Sequence, residues 1–293
     1  MRIRTLEVHF ALKSGTFDGS NNTKIVKGYS YTNNQFKDGI SIKAKINKEG
    51  GKSQDKANIT IYGLLYKDVA LLSTINFRPM QIIKNRVRVY VGYENNISMI
   101  FEGDIIKAAG SFSDPNLPFV VEAQAGYFNQ IKINDTVNIK GNINASKVFE
   151  TLAKQSDLTY KNVDVDLNLD NPVLQGGSTD QIYNLGKKLG IQTKIDNGTL
   201  IVAKRNSALN KTVLKLSSQS GLLGYPYIDE KGISFTARYN PNFTFGGVVD
   251  ISSIVPKATG IWKIYSLEFL LENYHDKFNV SIKASYLQSG AVN

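Results

Sequence analysis

His9 and His275 are the two imidazoles of this 293-residue chain, and neither stands beside a serine, a cysteine or an HExxH pattern. A histidine-based triad or a zinc site therefore has no partners to draw on. Cysteine is absent, which removes disulfide frameworks, thiolate metal sites and cysteine nucleophiles. Asp164, Asp166, Asn168 and Asp170 resemble the start of a calcium loop, but Leu169 stands where the loop needs glycine and Gln175 where it needs glutamate. Their period of two instead predicts a strand with those four residues on a wet face and Val163, Val165, Leu167 and Leu169 on the other. Residues 141–148 (GNINASKV) have a phosphate-loop outline, yet Ser146 replaces the glycine and Val148 the hydroxyl that would hold magnesium. Paired carboxylates for glycoside hydrolysis come from distant positions, so that alternative stays open. Arg86, Arg88 and Tyr90, and the aromatic and polar run 29–37, would suit base stacking on a small barrel, or simply fill a barrel wall. No catalytic, cofactor-binding or metal-ligating residue is assigned; the expected protein has no cofactor and is not an enzyme.

The elements that would carry such groups are mostly strands. Glycine is frequent (24), Tyr (15) and Phe (14) are abundant, and long helical periodicities are scarce, which favours a β-rich chain. The net charge of +10 divides unevenly: residues 1–150 hold 20 basic and 13 acidic side chains, residues 151–293 hold 15 and 12. No block of five like charges occurs, so the excess reads as a solvated or assembly surface ahead of a nucleic-acid groove. The N-terminal residues alternate apolar with polar as a strand does, not as a signal peptide does, and no run of about eighteen apolar residues predicts a membrane-spanning helix.

Residues 57–106 organise the rest. Ile59 and Ile61 alternate with Thr60 and Tyr62, Gly63 interrupts, and 66–72 makes two helical turns. Val87, Val89 and Val91 then alternate with Arg86, Arg88 and Tyr90, Gly92 ends the strand, and 97–106 returns as a second strand broken by Gly103. Further on the period changes. Ala145, Val148, Phe149, Leu152 and Ala153 share one helical face behind Asn144 as N-cap. Ser178 and Gln181 form a capping box for a helix that stops at Gly190. Asn197 and Gly198 suit a type I′ hairpin turn between 191–195 and 200–202. Strands resume at 213–216, 233–239 and 247–251, and a last long hairpin is similar in plan to 103–126, so a degenerate internal repeat is expected. The predicted division is a first tube-like β-barrel domain at 1–135, an inserted α/β module at 136–207 and a second tube-like β-barrel domain at 208–293, with the linker at 206–211.

The motifs in the organising stretch, Ile59, Ile61, Tyr62, Gly63, Leu64, then Val87, Val89, Val91, Gly92, Tyr93, then Phe101, Gly103, Ile105, resemble in order and spacing the first tube-like domain of phage tail baseplate hub proteins. This family takes in late control protein D, Mu-like hubs and the N-terminal part of type VI secretion spikes. The resemblance implies a structural virion protein of the tail baseplate, assembled in the host bacterial cytoplasm. It implies a homotrimer whose two tube-like domains per chain make six similar units in a ring. That ring would join a hexameric tail tube to a trimeric central spike and form part of the conduit for DNA, which is met only in transit. Tape-measure protein and other baseplate components are further implied partners; membrane insertion is not. Some tail hubs carry a fused lysozyme-like domain, and no segment here is left over for one. A β-barrel nucleic-acid-binding protein and a tail-associated glycan hydrolase remain the alternatives.

Overall fold

The computed structural model describes residues 3–13, 15–17, 21–29, 39–73, 85–111, 115–128, 137–204, 207–209, 212–274 and 277–287. His275, most of the 29–37 run, the 135/136 boundary and part of the 206–211 linker lie outside the described residues.

The N-terminal part contributes seven strands: β1 (Arg4–Ala11), β2 (Thr23–Tyr29), β3 (Ser41–Glu49), β4 (Lys56–Tyr62), β5 (Arg86–Tyr93), β6 (Asn96–Gly110) and β7 (Phe119–Gln124). Helix α1 (Tyr66–Leu72) lies between β4 and β5. Alternation makes them strands: Ile42, Ala44 and Ile46 of β3, Ala57, Ile59 and Ile61 of β4, and Val87, Val89 and Val91 of β5 are all buried. Each valine or isoleucine so buried contributes about 1.5–3 kcal/mol. The C-terminal part contributes β15 (Val213–Leu216), β16 (Leu222–Asp229), β17 (Gly232–Arg238), β18 (Val248–Ile251), β19 (Gly260–Glu272) and β20 (Phe278–Tyr286).

These two regions are not separate sheets. One path runs β16-β17-β20-β19-β3-β4-β7-β6-β5-β1-β2, with β18 and β15 branching from β19. The join is β3–β19, antiparallel from Ser266↔Glu49 to Glu272↔Lys43. One edge of β19 is thus shared: Gly260 to Lys263 pair with β18, and beyond the irregularity at Ile264/Ser266 the strand turns to β3. Buried apolar residues of both regions form a single cluster. An aromatic group stitches the join. Tyr239 donates to Val91 O at 3.1 Å and lies 3.2 Å from Ser98 Oγ. Its ring meets Phe278 and Phe269 at 5.5 and 6.3 Å, and burial pushes its phenol up to about 12.

Residues 137–204 carry two helices and seven short strands. This module holds β8 (Val137–Asn138), β9 (Asn142–Asn144), α2 (Ala145–Gln155), β10 (Thr159–Val163), β11 (Asn168–Asp170), β12 (Val173–Leu174), α3 (Ser178–Leu189), β13 (Ile191–Asp196) and β14 (Thr199–Lys204). Its core, centred on Phe149, Leu152, Ile182 and Leu200, is distinct from that of the large sheet. Asn144 caps α2, accepting from Ser146 N at 2.8 Å. Gly190 ends α3 at φ 67, and Asn197 and Gly198 take φ 46 and 75 in the hairpin turn.

Several expectations are corrected. Ser178 is the first helical residue of α3, not its cap; Gly177 is the N-cap, and Gln181 Nε2 donates to Gly176 O at 2.9 Å. Gly103 does not break β6, whose register slips at Ile100 against β5 and at Ile105/Lys107 against β7. A Cβ at Gly103 would meet Phe101 Cζ at 2.6 Å, so close packing is the reason for glycine. Gly92 does not end β5, which continues to Tyr93. Residues 164–170 are not one strand: Asp164 has φ 57, β11 begins only at Asn168, and Leu167 is exposed. The sequence pattern predicts neither β2 nor β16.

Candidate functional site

The residues with chemical potential are dispersed. His9 Nε2 on β1 donates to Glu7 Oε2 at 3.0 Å and its ring lies 4.4 Å from that of Tyr90, so it is a satisfied sheet residue. Burial pushes Glu7 up, but hydrogen bonds from His9 and Lys27 outweigh it and leave the carboxyl below its ordinary range. Asp166 and Asp170 accept from the side chains of Asn144 and Asn142 at 2.7 and 2.6 Å, pinning β9 to its neighbours. Ser146 faces Tyr160 Oη at 2.9 Å, within the module. Among the described residues no group of three His, Asp or Glu could hold a metal ion, and no helix is long and apolar enough to cross a membrane.

Two extended features stand out among the described residues. The first is the outer face of the large sheet. Successive register pairs place Thr236, Ser281, Glu268, Asn47, Lys56 and Gln124 side by side across six strands from both regions. Several cations on this side meet carboxylates: Lys45 pairs with Glu268, Arg88 with Glu102 at 2.9 Å, and Lys107 with Glu122 at 4.0 Å. The run Arg86, Arg88, Tyr90 is therefore charge-balanced by its neighbouring strand, which argues against a phosphate-binding groove.

The second feature is the contact between module and sheet. Strand β13 turns Ile191 and Ile195 into the module core, and with a period of two its other face carries Gln192, Lys194 and Asp196. Lys194 pairs with Asp55, and both side chains are 2 % exposed. Its ammonium also donates to Glu49 O at 2.6 Å and lies 5.0 Å from the Phe245 ring centroid. Asp196 pairs with Lys48 at 2.6 Å, and Gln192 Oε1 accepts from Lys263 at 2.8 Å. Lys52 adds Asp180 of α3 at 2.7 Å. Burial raises Asp55 against the pull of Lys194 and Lys48, and burial lowers Lys263 to about 8. The polar loop before β4 is thus held by the module of its own chain. Periodicity marks β13 as a strand but cannot say that its polar face is buried. The hint is two opposite charges, Lys194 and Asp196, spaced two apart on one face of the strand.

The fold has relatives. A tail protein of prophage MuSo2 from Shewanella oneidensis, of 43 kDa, is similar with a TM-score of 0.63 at 10% identity, over 98% of both chains. A tail protein from Neisseria meningitidis MC58 is similar with a TM-score of 0.64 at 10% identity, over 98% of this chain and 99% of that one. An E. coli component of the type VI secretion system, described as structurally similar to the phage T4 tail proteins gp27 and gp5, gives 0.57 at 8% identity over 87% and 76%. At such identities these likenesses show the fold alone. No curated protein matches the chain in sequence. The family model described as baseplate hub gp41 matches residues 21–284, and the chain accordingly belongs to that family of structural phage tail baseplate proteins.

Proposed function

We propose that this protein is a ring-forming, trimeric adaptor that joins a hexameric tail tube to a trimeric central spike and provides part of the conduit for DNA. It works without turnover of any substrate. The observation that carries the reading is a shared strand order. The N-terminal region runs β3-β4-β7-β6-β5-β1, and the C-terminal region β16-β17-β20-β19-β18-β15. In both, the long strand of the last hairpin carries an irregularity, at Ile105/Lys107 and at Ile264/Ser266. The outermost pairs differ: β1–β5 is antiparallel and β15–β18 parallel. Two tube-like units of one plan in each chain give six in a trimer, which suits a sixfold tube on one side and a threefold spike on the other. Ile40 N donates to Lys27 O at 3.0 Å, bringing β2 back to the start of β3 and supporting a barrel-like N-terminal unit.

The decisive measurement is the native mass of the purified protein alone, then with candidate tube and spike proteins. A trimer that gains both partners is the expected result. A monomer that stays monomeric with both present would overturn the reading. Binding to single-stranded DNA that weakens steeply with salt would favour a nucleic-acid-binding protein in its place.

A further inference from the structure

We infer that strand β13 of the module is a strap that fixes the angle between the two β regions. The two regions meet in a ladder of seven register pairs whose ends are both pinned. At the Lys43/Glu272 end stands Asn273, bonded to Ile42 N and to the carbonyls of Tyr29 and Ile40. At the Glu49/Ser266 end lies β13, which reaches both sides of the join. Lys194 and Asp196 engage Asp55, Glu49 O and Lys48 of the N-terminal region, while Gln192 engages Lys263 and Lys194 lies over Phe245 of the C-terminal region.

The chemistry of the strap favours a defined geometry over raw affinity. The module core and the sheet core are separate clusters, so no shared apolar core glues them. What joins them is buried charge and hydrogen bonding, whose net stabilisation is small but whose disruption leaves an unpaired ion in a dry site. Such a contact tolerates one arrangement and penalises its neighbours. Module and sheet keep separate cores, and a contact with little apolar content leaves relative motion as the default; three consecutive outward positions of β13, each spent on a different partner, hold the module against both β regions. The inference rests on the ring reading for its purpose, since the angle between the two regions sets the curvature at which copies close. The strap itself is a property of one chain.

The absence of cysteine makes the test direct. Lys107→Cys and Arg238→Cys place spin labels on exposed positions of β6 and β17, and dilution with unlabelled protein isolates the distance within one chain. The parent should give one narrow distance. Lys194→Met should speed exchange of the β13 amides roughly a hundredfold and broaden that distance. Adding Asp55→Leu, which removes the stranded carboxylate, should narrow it again. If Lys194→Met does not fold, Lys263→Met, which removes the hydrogen bond to Gln192, carries the same comparison. Faster β13 exchange with an unchanged distance would overturn the strap, as would unchanged exchange. Native mass separates the two ideas: broadening in a protein that never forms a ring sustains the strap and removes the ring.

Discussion

Asn273 Oδ1 accepts a hydrogen bond from Ile42 N at 2.7 Å, joining residues 231 positions apart. The same carboxamide donates to Ile40 O at 2.9 Å and Tyr29 O at 3.1 Å. One side chain from the C-terminal region thus satisfies backbone groups of β2, of β3 and of the residue leading into β3. Asn273 is 1% exposed, so water cannot substitute for it.

Replacing this amide tests its fit. Asn273→Ala leaves a buried donor and two acceptors short of a partner and should cost about 1–3 kcal/mol. Asn273→Asp keeps the acceptor for Ile42 but turns a second oxygen on two carbonyls, and should cost at least as much. Urea unfolding would show a lowered midpoint with an unchanged slope. An unshifted midpoint for both variants would mean that other groups close the gap between β2 and β3.

Gly92 lies in the motif on which the family resemblance rests, and its reason is steric. A Cβ there would stand 1.9 Å from Asn96 O, inside the β5–β6 hairpin where Gly92 pairs with Ile97. Gly92→Ala must push the two strands apart, at about 1–3 kcal/mol or more. Amide exchange should rise through the hairpin tip around Glu94, which itself sits at φ 56. Gly92→Ala with native stability would show that the hairpin relaxes freely.

Lys263 supplies a pH dependence. Burial lowers its ammonium from the ordinary 10.5 to about 8, so the native state binds this proton less tightly than the unfolded state. The penalty is complete below about pH 8 and disappears as pH climbs towards the ordinary lysine value, so stability attributable to Lys263 rises across that window. The urea midpoint of the parent should therefore gain on that of Lys263→Met between pH 8 and pH 9.5, values chosen below tyrosine ionisation. Parallel curves for the two proteins would mean that Lys263 stays ionised at an ordinary pKa.

What the sequence discloses here follows from the range of the forces that write it. Alternation in β3, β4 and β5 is local, and those strands are legible. The caps at Asn144 and Gly190 and the turn at Asn197 and Gly198 are local too. β16 is not, because Gly224 (φ 67) and Pro226 interrupt its pattern and its register slips between Leu223 and Tyr227. β2 hides for another reason: Ile25 is half exposed and Val26 buried, so its apolar pair straddles both faces. The β3–β19 join, the Asn273 bridge and the β13 charges are tertiary pairings between distant segments. No period encodes which strand a polar face will meet, so the sequence yields two β regions and a module but not the seam that holds them together.

The type I′ turn gives a last test, confined to the module. Asn197 and Gly198 sit at φ 46 and 75, where a Cβ is disfavoured and asparagine is better tolerated than most residues. The space at Gly198 is open enough for a methyl group, since the nearest atom would be Glu102 Oε2 at 3.7 Å. The cost of Gly198→Ala is therefore one of backbone conformation, about 1 kcal/mol. Gly198 O also accepts from Thr159 N at 3.0 Å, so strain there should reach the start of β10 as well as β13 and β14. Amide exchange should quicken in those three strands and leave Val87 to Val91 unchanged, because the module and the sheet keep separate cores. Equal loosening of β5 would show that both cores unfold in one step and that the module has no independent stability.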